Sequence, residues 1–144
     1  TPEESAGAAL AFEGADDFVT FGLAPGLGAS EFTVEVWLKK TGPGAGVTTD
    51  ASQGIPSAVP LVAKGRAEAE GTNRDMNFFL GINVATGVLV ADFEDTASGM
   101  NHPIYGTTPV TSNVWHHAAA TYRAFEAGAA GNRAHPRPSF WLAL

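Results

Sequence analysis

An all-β chain folded as an antiparallel sandwich or barrel is what this sequence predicts, and three observations carry the prediction. Apolar and polar residues alternate with the period of two that puts successive side chains on opposite faces of a strand. The 17 glycines and 9 prolines among 144 residues suit short strands joined by many turns. No stretch has the three-to-four-residue apolar spacing of a convincing amphipathic helix.

Residues 1–7 read as a polar N-terminal tail. Ala8–Glu13 reads as a first strand, Gly14–Asp17 as a turn and Phe18–Phe21 as a second strand. A loop with Pro25 and three glycines follows over Gly22–Gly28. Ser30–Lys40 is the clearest strand: Phe32, Val34, Val36 and Leu38 form one row, and Thr33, Glu35, Trp37 and Lys39 the other. Thr41–Ser57 lacks periodicity and reads as a long loop. Val59–Lys64 is a short strand whose Pro60 places it at an edge or a strand start. Gly65–Asp75 is a polar insertion. Met76–Asn83 and Val88–Asp95 form a hairpin turning at Thr86–Gly87. Thr96–Pro109 reads as a loop.

Val114–Tyr122 contains two adjacent histidines, which invite a metal or catalytic reading. The run is rich in aromatic, β-branched and small residues and has no Gly or Pro, which makes it a strand. His116 and His117 then face opposite ways and cannot hold one ion. Small residues in both rows predict a central strand covered on both sides.

Composition narrows the function classes. Eight basic residues against 15 acidic ones give a net charge of -7, which repels phosphate backbones and argues against a nucleic-acid partner. The same charge is compatible with calcium, which prefers carboxylate and carbonyl oxygens. With no cysteine, disulfides, thiolate catalysis and thiolate-bound zinc are excluded. No apolar run has the length of a membrane span. No signal peptide is visible, but the chain opens on Thr1 rather than Met, so that excludes little. The absence of cysteine fits a bacterial secreted protein stabilised by its sheets as well as a cytosolic one.

Taken in order, several segments resemble one family. They are Ala9–Gly14 with Asp17–Val19, Phe32–Trp37, Leu61–Gly65, Phe79–Ile82 and Trp115–Tyr122. Each is only a strand with a turn, but the ordered set resembles the laminin G-like domain of the concanavalin A-like lectin/glucanase superfamily over about residues 8–122. The resemblance implies a jelly-roll β-sandwich of two antiparallel sheets, usually a module of a larger extracellular protein. Such modules bind glycans or proteins, often with calcium, and most are not enzymes. Residues 123–144 depart from the family pattern. Their Ala, Gly, Arg and Pro enrichment is what a shifted reading frame in a GC-rich gene produces. The expectation is a fragment with a frame shift after Tyr122, and a sandwich incomplete at its C-terminus with open edges.

The candidate metal ligands for calcium are Asp92, Glu94 and Asp95 at a strand end, Asn101 on the next loop, and Asp75 and Asn77 on the preceding arm. Asp16 and Asp17 are a second pair. Asp92 and Glu94 share a strand face and could also serve a glycoside hydrolase, which needs two close carboxylates. The superfamily's enzymes carry Glu-x-Asp-x-x-Glu on one strand, and Asp92-Phe93-Glu94-Asp95-Thr96 does not fit. The candidate ligand-binding residues are Tyr105, His102, Trp115 and His117, because aromatic faces stack on the apolar face of a sugar ring. For Trp37 and Trp115 packing inside the sandwich is the stronger expectation, whereas Tyr105, in a Gly-flanked loop, is expected to be exposed. The leading reading is a non-catalytic carbohydrate- or protein-binding module, secreted or on the cell surface. A divergent glycoside hydrolase and a purely structural adhesin-type domain are its rivals.

Overall fold

The computed structural model describes residues 9–50, 53–65, 76–95, 98–123 and 139–144. Its strands form two antiparallel sheets, the all-β sandwich expected from the alternation. β1 (Phe32–Lys39), β6 (Trp115–Arg123) and β7 (Ser139–Ala143) make a three-stranded sheet in the order β1-β6-β7. β2 (Ala58–Gly65), β3 (Met76–Asn83), β4 (Val88–Asp92) and β5 (Ile104–Pro109) form a four-stranded meander. That meander is inserted in the chain between β1 and its partner β6, which align Phe32 with Tyr122 and Lys39 with Trp115. Among the described residues the only helical element is a single 3-10 turn over Pro25–Leu27.

The apolar rows decide how the sheets pack. Leu38, Ala118 and Ala120 of the three-stranded sheet meet Leu80, Ile82, Leu89 and Ala91 of the meander, with Val110 closing one side. Val34, Val36 and Leu142 pack against this core. Alternation then sends Phe79, Val88 and Val90 to the opposite face of the meander, where they are buried with Ile55, Ala58 and Met76. The four-stranded sheet is therefore covered on both faces, by the other sheet and by the loop before β2. At one end an aromatic string joins the layers. Phe32 lies 5.2 Å from Phe78 and 5.6 Å from Tyr122, Tyr122 lies 4.2 Å from Phe93, and Phe93 stacks on His102 at 4.7 Å between ring centroids.

The β3–β4 hairpin turns where Gly87 takes φ +73°, a left-handed conformation that favours glycine. Asn83 Oδ1 accepts bonds from the N–H groups of Ala85 and Thr86 and from the Thr86 hydroxyl at 2.9–3.0 Å, which pins that turn. Pro60 stands on β2, an edge strand of the meander, with a register shift between Pro60 and Val62.

Five local expectations are corrected. Residues 9–13 and Phe18–Phe21 form no strand: they have no ladder partner among the described residues, and Leu10, Phe12, Phe18, Val19 and Phe21 are exposed. The 104–109 stretch, expected as loop, is β5, paired through Tyr105 to Val90 and Ile104 to Ala91. β4 stops at Asp92 instead of Asp95, and Glu94 makes an isolated bridge to Asn101. A strand exists beyond Tyr122: β7 pairs with β6 from Arg123↔Ser139 to Ala119↔Ala143. β6 is central in its sheet but covered on one side only, since the row of Trp115, His117, Ala119 and Thr121 lies outside the core. The insertion at 66–75 lies outside the described residues.

Candidate functional site

The candidate residues divide between the two outer faces of the sandwich. Asp92, Glu94, Asp95, Asn101, His102 and Tyr105 gather at one end of the meander, whereas Trp115 and His117 lie on the three-stranded sheet.

Asp92 is the last residue of β4 and is fully buried. Its row is that of Val88 and Val90, so its carboxylate points under the loop before β2. Thr49 Oγ1 donates to Asp92 Oδ2 at 2.5 Å and accepts from the Ile55 N–H at 2.6 Å. Asn101 Nδ2 donates to the same carboxylate at 3.2 Å, and the His102 N–H reaches Oδ1 at 2.9 Å. Burial pushes the Asp92 carboxyl above its ordinary value, while bonds from Thr49, from the His102 and Phe93 backbone and from Asn101 oppose the rise by favouring the ionised form. Asp92 thus ties two loops to the sheet.

Asp95 serves the neighbouring turn. It accepts the Ser98 N–H at 2.7 Å and the Ser98 hydroxyl, and His102 Nε2 donates to its Oδ2 at 2.8 Å. Tyr105 is exposed on β5, not in a loop, and lies on the Asp92 side of the sheet. Partial burial and then the Asp92 charge push its phenol above the usual range. Asn77 is exposed on β3, and Asp75 lies outside the described residues.

Of the acidic residues expected to hold calcium, the described Asp92, Glu94 and Asp95 belong to no group of three converging His, Asp or Glu ligands, whereas the second pair, Asp16 and Asp17, comes together with Glu13. Among the described His, Asp and Glu residues, Glu13, Asp16 and Asp17 are the one group whose ligand atoms lie within 4.8 Å of one another. All three are exposed, and Asp17 Oδ2 accepts the Glu13 N–H at 2.8 Å, which is ordinary turn chemistry.

The second region is the outer face of the three-stranded sheet. Trp37 is 68%, Trp115 53% and Trp141 55% exposed, and these are all three tryptophans of the chain. The expectation that Trp37 and Trp115 pack inside the sandwich is corrected. Their rows face away from the core because Val34, Val36, Leu38, Ala118 and Ala120 take the inward positions. Register places Trp115 opposite Lys39, His117 opposite Trp37, and Trp141 opposite Thr121. The His117 and Trp37 rings lie 5.1 Å apart, and His117 Nε2 donates to Glu35 Oε2 at 3.2 Å. His116, on the other row, donates from Nε2 to the Thr111 carbonyl at 3.0 Å, so the two histidines do face opposite ways.

Two residues of these regions escaped the sequence reading. Thr49 sits in an aperiodic loop that carries no local signal. Trp141 stands in the stretch set aside as off-pattern, although Ser139–Ala143 has the composition of a short strand. For Trp37 the signal was present, because its row also holds Thr33, Glu35 and Lys39, which marks a solvent face.

No family model, curated protein or solved structure matches the chain.

Proposed function

We propose that this chain is a non-catalytic binding module of laminin G-like type, part of a larger secreted or surface protein, that takes a carbohydrate or protein ligand on the outer face of the β1-β6-β7 sheet. The observation that carries the reading is the placement of every tryptophan of the chain, exposed, on that one face. Tryptophan offers a large apolar surface and a polar N–H at low conformational cost, which is why exposed clusters of it mark recognition surfaces.

The non-catalytic part of the reading is supported at Asp92. A glycosidase must present two carboxyl groups to the scissile bond, but both Asp92 oxygens accept protein hydrogen bonds beneath a loop. No helix among the described residues is long and apolar enough to cross a membrane.

Tryptophan fluorescence tests the proposal, because the whole signal originates on the proposed face. Titration against an array of soluble polysaccharides and extracellular-matrix proteins is expected to give a saturable change, and calorimetry, which does not depend on the tryptophan signal, is expected to show binding lost in the Trp37→Ala/Trp115→Ala variant while its fold is retained. Ligand binding that survives in that variant would move the site off this face. Hydrolysis of a bound glucan would instead favour the enzyme reading.

A further inference from the structure

We infer that two copies of this chain pair edge to edge through β1, antiparallel and centred on Trp37, so that their three-stranded sheets join into one sheet of six strands, whatever ligand the tryptophan face takes. Two observations point there: β1 is the one unguarded sheet edge among the described residues, and its sequence is its own complement.

An edge strand turns the N–H and C=O groups of every second residue away from its sheet, where another strand can take them. Of the four sheet edges among the described residues, three are blunted. β2 carries Pro60, shifts register twice against β3, and is bridged at Ala58 by Val47 of the loop before it. β5 ends on Pro109, and its register against β4 shifts between Val88 and Val90. β7 has only five residues. β1 has eight, with no Gly or Pro, in unbroken register with β6 from Phe32 to Lys39. Among the described residues β6 is its one ladder partner. Val34 and Val36 on its inward row pack against the core but stay half-buried, so an added strand would cover them.

Charges on an edge strand commonly repel a second strand. On β1 they are spaced to attract one. Glu35, Trp37 and Lys39 share the outward row, with Trp37 midway between the carboxylate and the cation. In an antiparallel pair centred on Trp37, Glu35 of each copy falls opposite Lys39 of the other, Val36 falls opposite Leu38, and the two Trp37 side chains meet at the twofold axis. Centring the pair on Glu35 instead would set two carboxylates against each other, so the charges select the register. Both groups are available for it. His117 Nε2 donates to Oε2 of Glu35 at 3.2 Å, which leaves Oε1 for a lysine, and Lys39 is in no ion pair among the described residues. Glu35, Trp37 and Lys39 are all exposed, so the pairing asks for no rearrangement of the core. The joined sheet carries the tryptophans of both copies on one continuous face.

Sedimentation velocity from micromolar to millimolar protein, with circular dichroism to check the fold of each variant, tests the pairing. A concentration-dependent dimer is expected. Glu35→Lys alone, or Lys39→Glu alone, sets like charges opposite each other at both ends of the contact and should weaken the dimer about tenfold or more. The combined Glu35→Lys/Lys39→Glu variant should restore it, and high salt should narrow the difference. The chain has no cysteine, so Trp37→Cys places a single thiol at the axis. Opposite residues of an antiparallel pair have Cα atoms about 4.5–5.5 Å apart, within disulfide reach, and mild oxidation should link the two copies. Thr33→Cys, whose two thiols would lie about 26 Å apart along the strands, should stay unlinked. A chain monomeric at every concentration, single reversals that dimerise as tightly as the wild type, or Thr33→Cys linking as readily as Trp37→Cys would each overturn the inference. A dimer indifferent to the reversals but lost in Trp115→Ala/Trp141→Ala would be a stacking of the outer faces, and would overturn it equally.

Discussion

Thr49→Val is the most revealing single change to this protein. Thr49 is 2% exposed, and valine has nearly its shape, so the variant removes one hydroxyl and opens no cavity. That hydroxyl makes two buried bonds, donating to Asp92 and accepting from the Ile55 N–H. Loss of a hydrogen bond to a carboxylate costs about 1.5–3 kcal/mol, and a buried N–H left without a partner about 1–3 kcal/mol. Asp92 retains Asn101 and the His102 N–H, which moderates the first loss. The expected destabilisation is about 3 kcal/mol, or roughly 10 °C in Tm for a chain of this size. Urea unfolding followed by far-UV circular dichroism measures it, with an unchanged m-value showing that the same cooperative unit unfolds. Thr49→Ser is the control: it keeps the hydroxyl and sheds one methyl group, about 0.8 kcal/mol. If Thr49→Val costs under about 0.5 kcal/mol, or if serine costs as much as valine, the loop is not held by this hydroxyl and the account of Asp92 as its anchor fails.

Three further outcomes are expected. Burial raises the Asp92 carboxyl above its unfolded value of 3.8, so the folded state holds that proton more tightly. The pH-dependent part of wild-type stability relative to Asp92→Asn should therefore be greatest below pH 3.8, fall as pH rises through the folded value and then level off; paired unfolding curves across acid pH would contradict this if the difference grew with pH. Gly81→Ala would place a methyl 2.7 Å from the Val59 carbonyl oxygen and 2.6 Å from Phe79 Cε1 in the centre of the meander, and a loss of about 1–3 kcal/mol in denaturant unfolding is expected. A calcium site of ordinary extracellular affinity, about 0.1–1 mM, would raise stability by roughly 1.4–2.7 kcal/mol in 10 mM calcium. Because Asp92 is engaged and forms no three-ligand group with Glu94 and Asp95, a thermal shift near zero is expected in an Asp16→Asn/Asp17→Asn background, and a rise of several degrees there would show that an ion is held at the end of the meander.

The sequence by itself determined the strands that carry their own alternation. The row of Phe32, Val34, Val36 and Leu38 can be buried only by a strand, and Trp115–Tyr122 places its histidines on opposite faces whatever it packs against. Met76–Asn83 was legible to the residue because apolar side chains fill both its faces and Gly87 enforces the turn that follows. The tertiary structure decided what depends on partners distant in the chain. Alternation separates two faces but does not say which is covered, so the exposure of Trp37 and Trp115 followed only once the core had taken the other rows. Leu10, Phe12 and Phe18 have strand composition, yet a strand requires a hydrogen-bonded neighbour, and none of the described residues supplies one. Asp92 looked like a metal ligand because local sequence cannot reveal that Thr49, forty-three residues away, would cover it. Burial and hydrogen-bond partnership are properties of the assembled chain, and they turned a candidate ligand into an anchor and a supposed core tryptophan pair into the proposed binding surface.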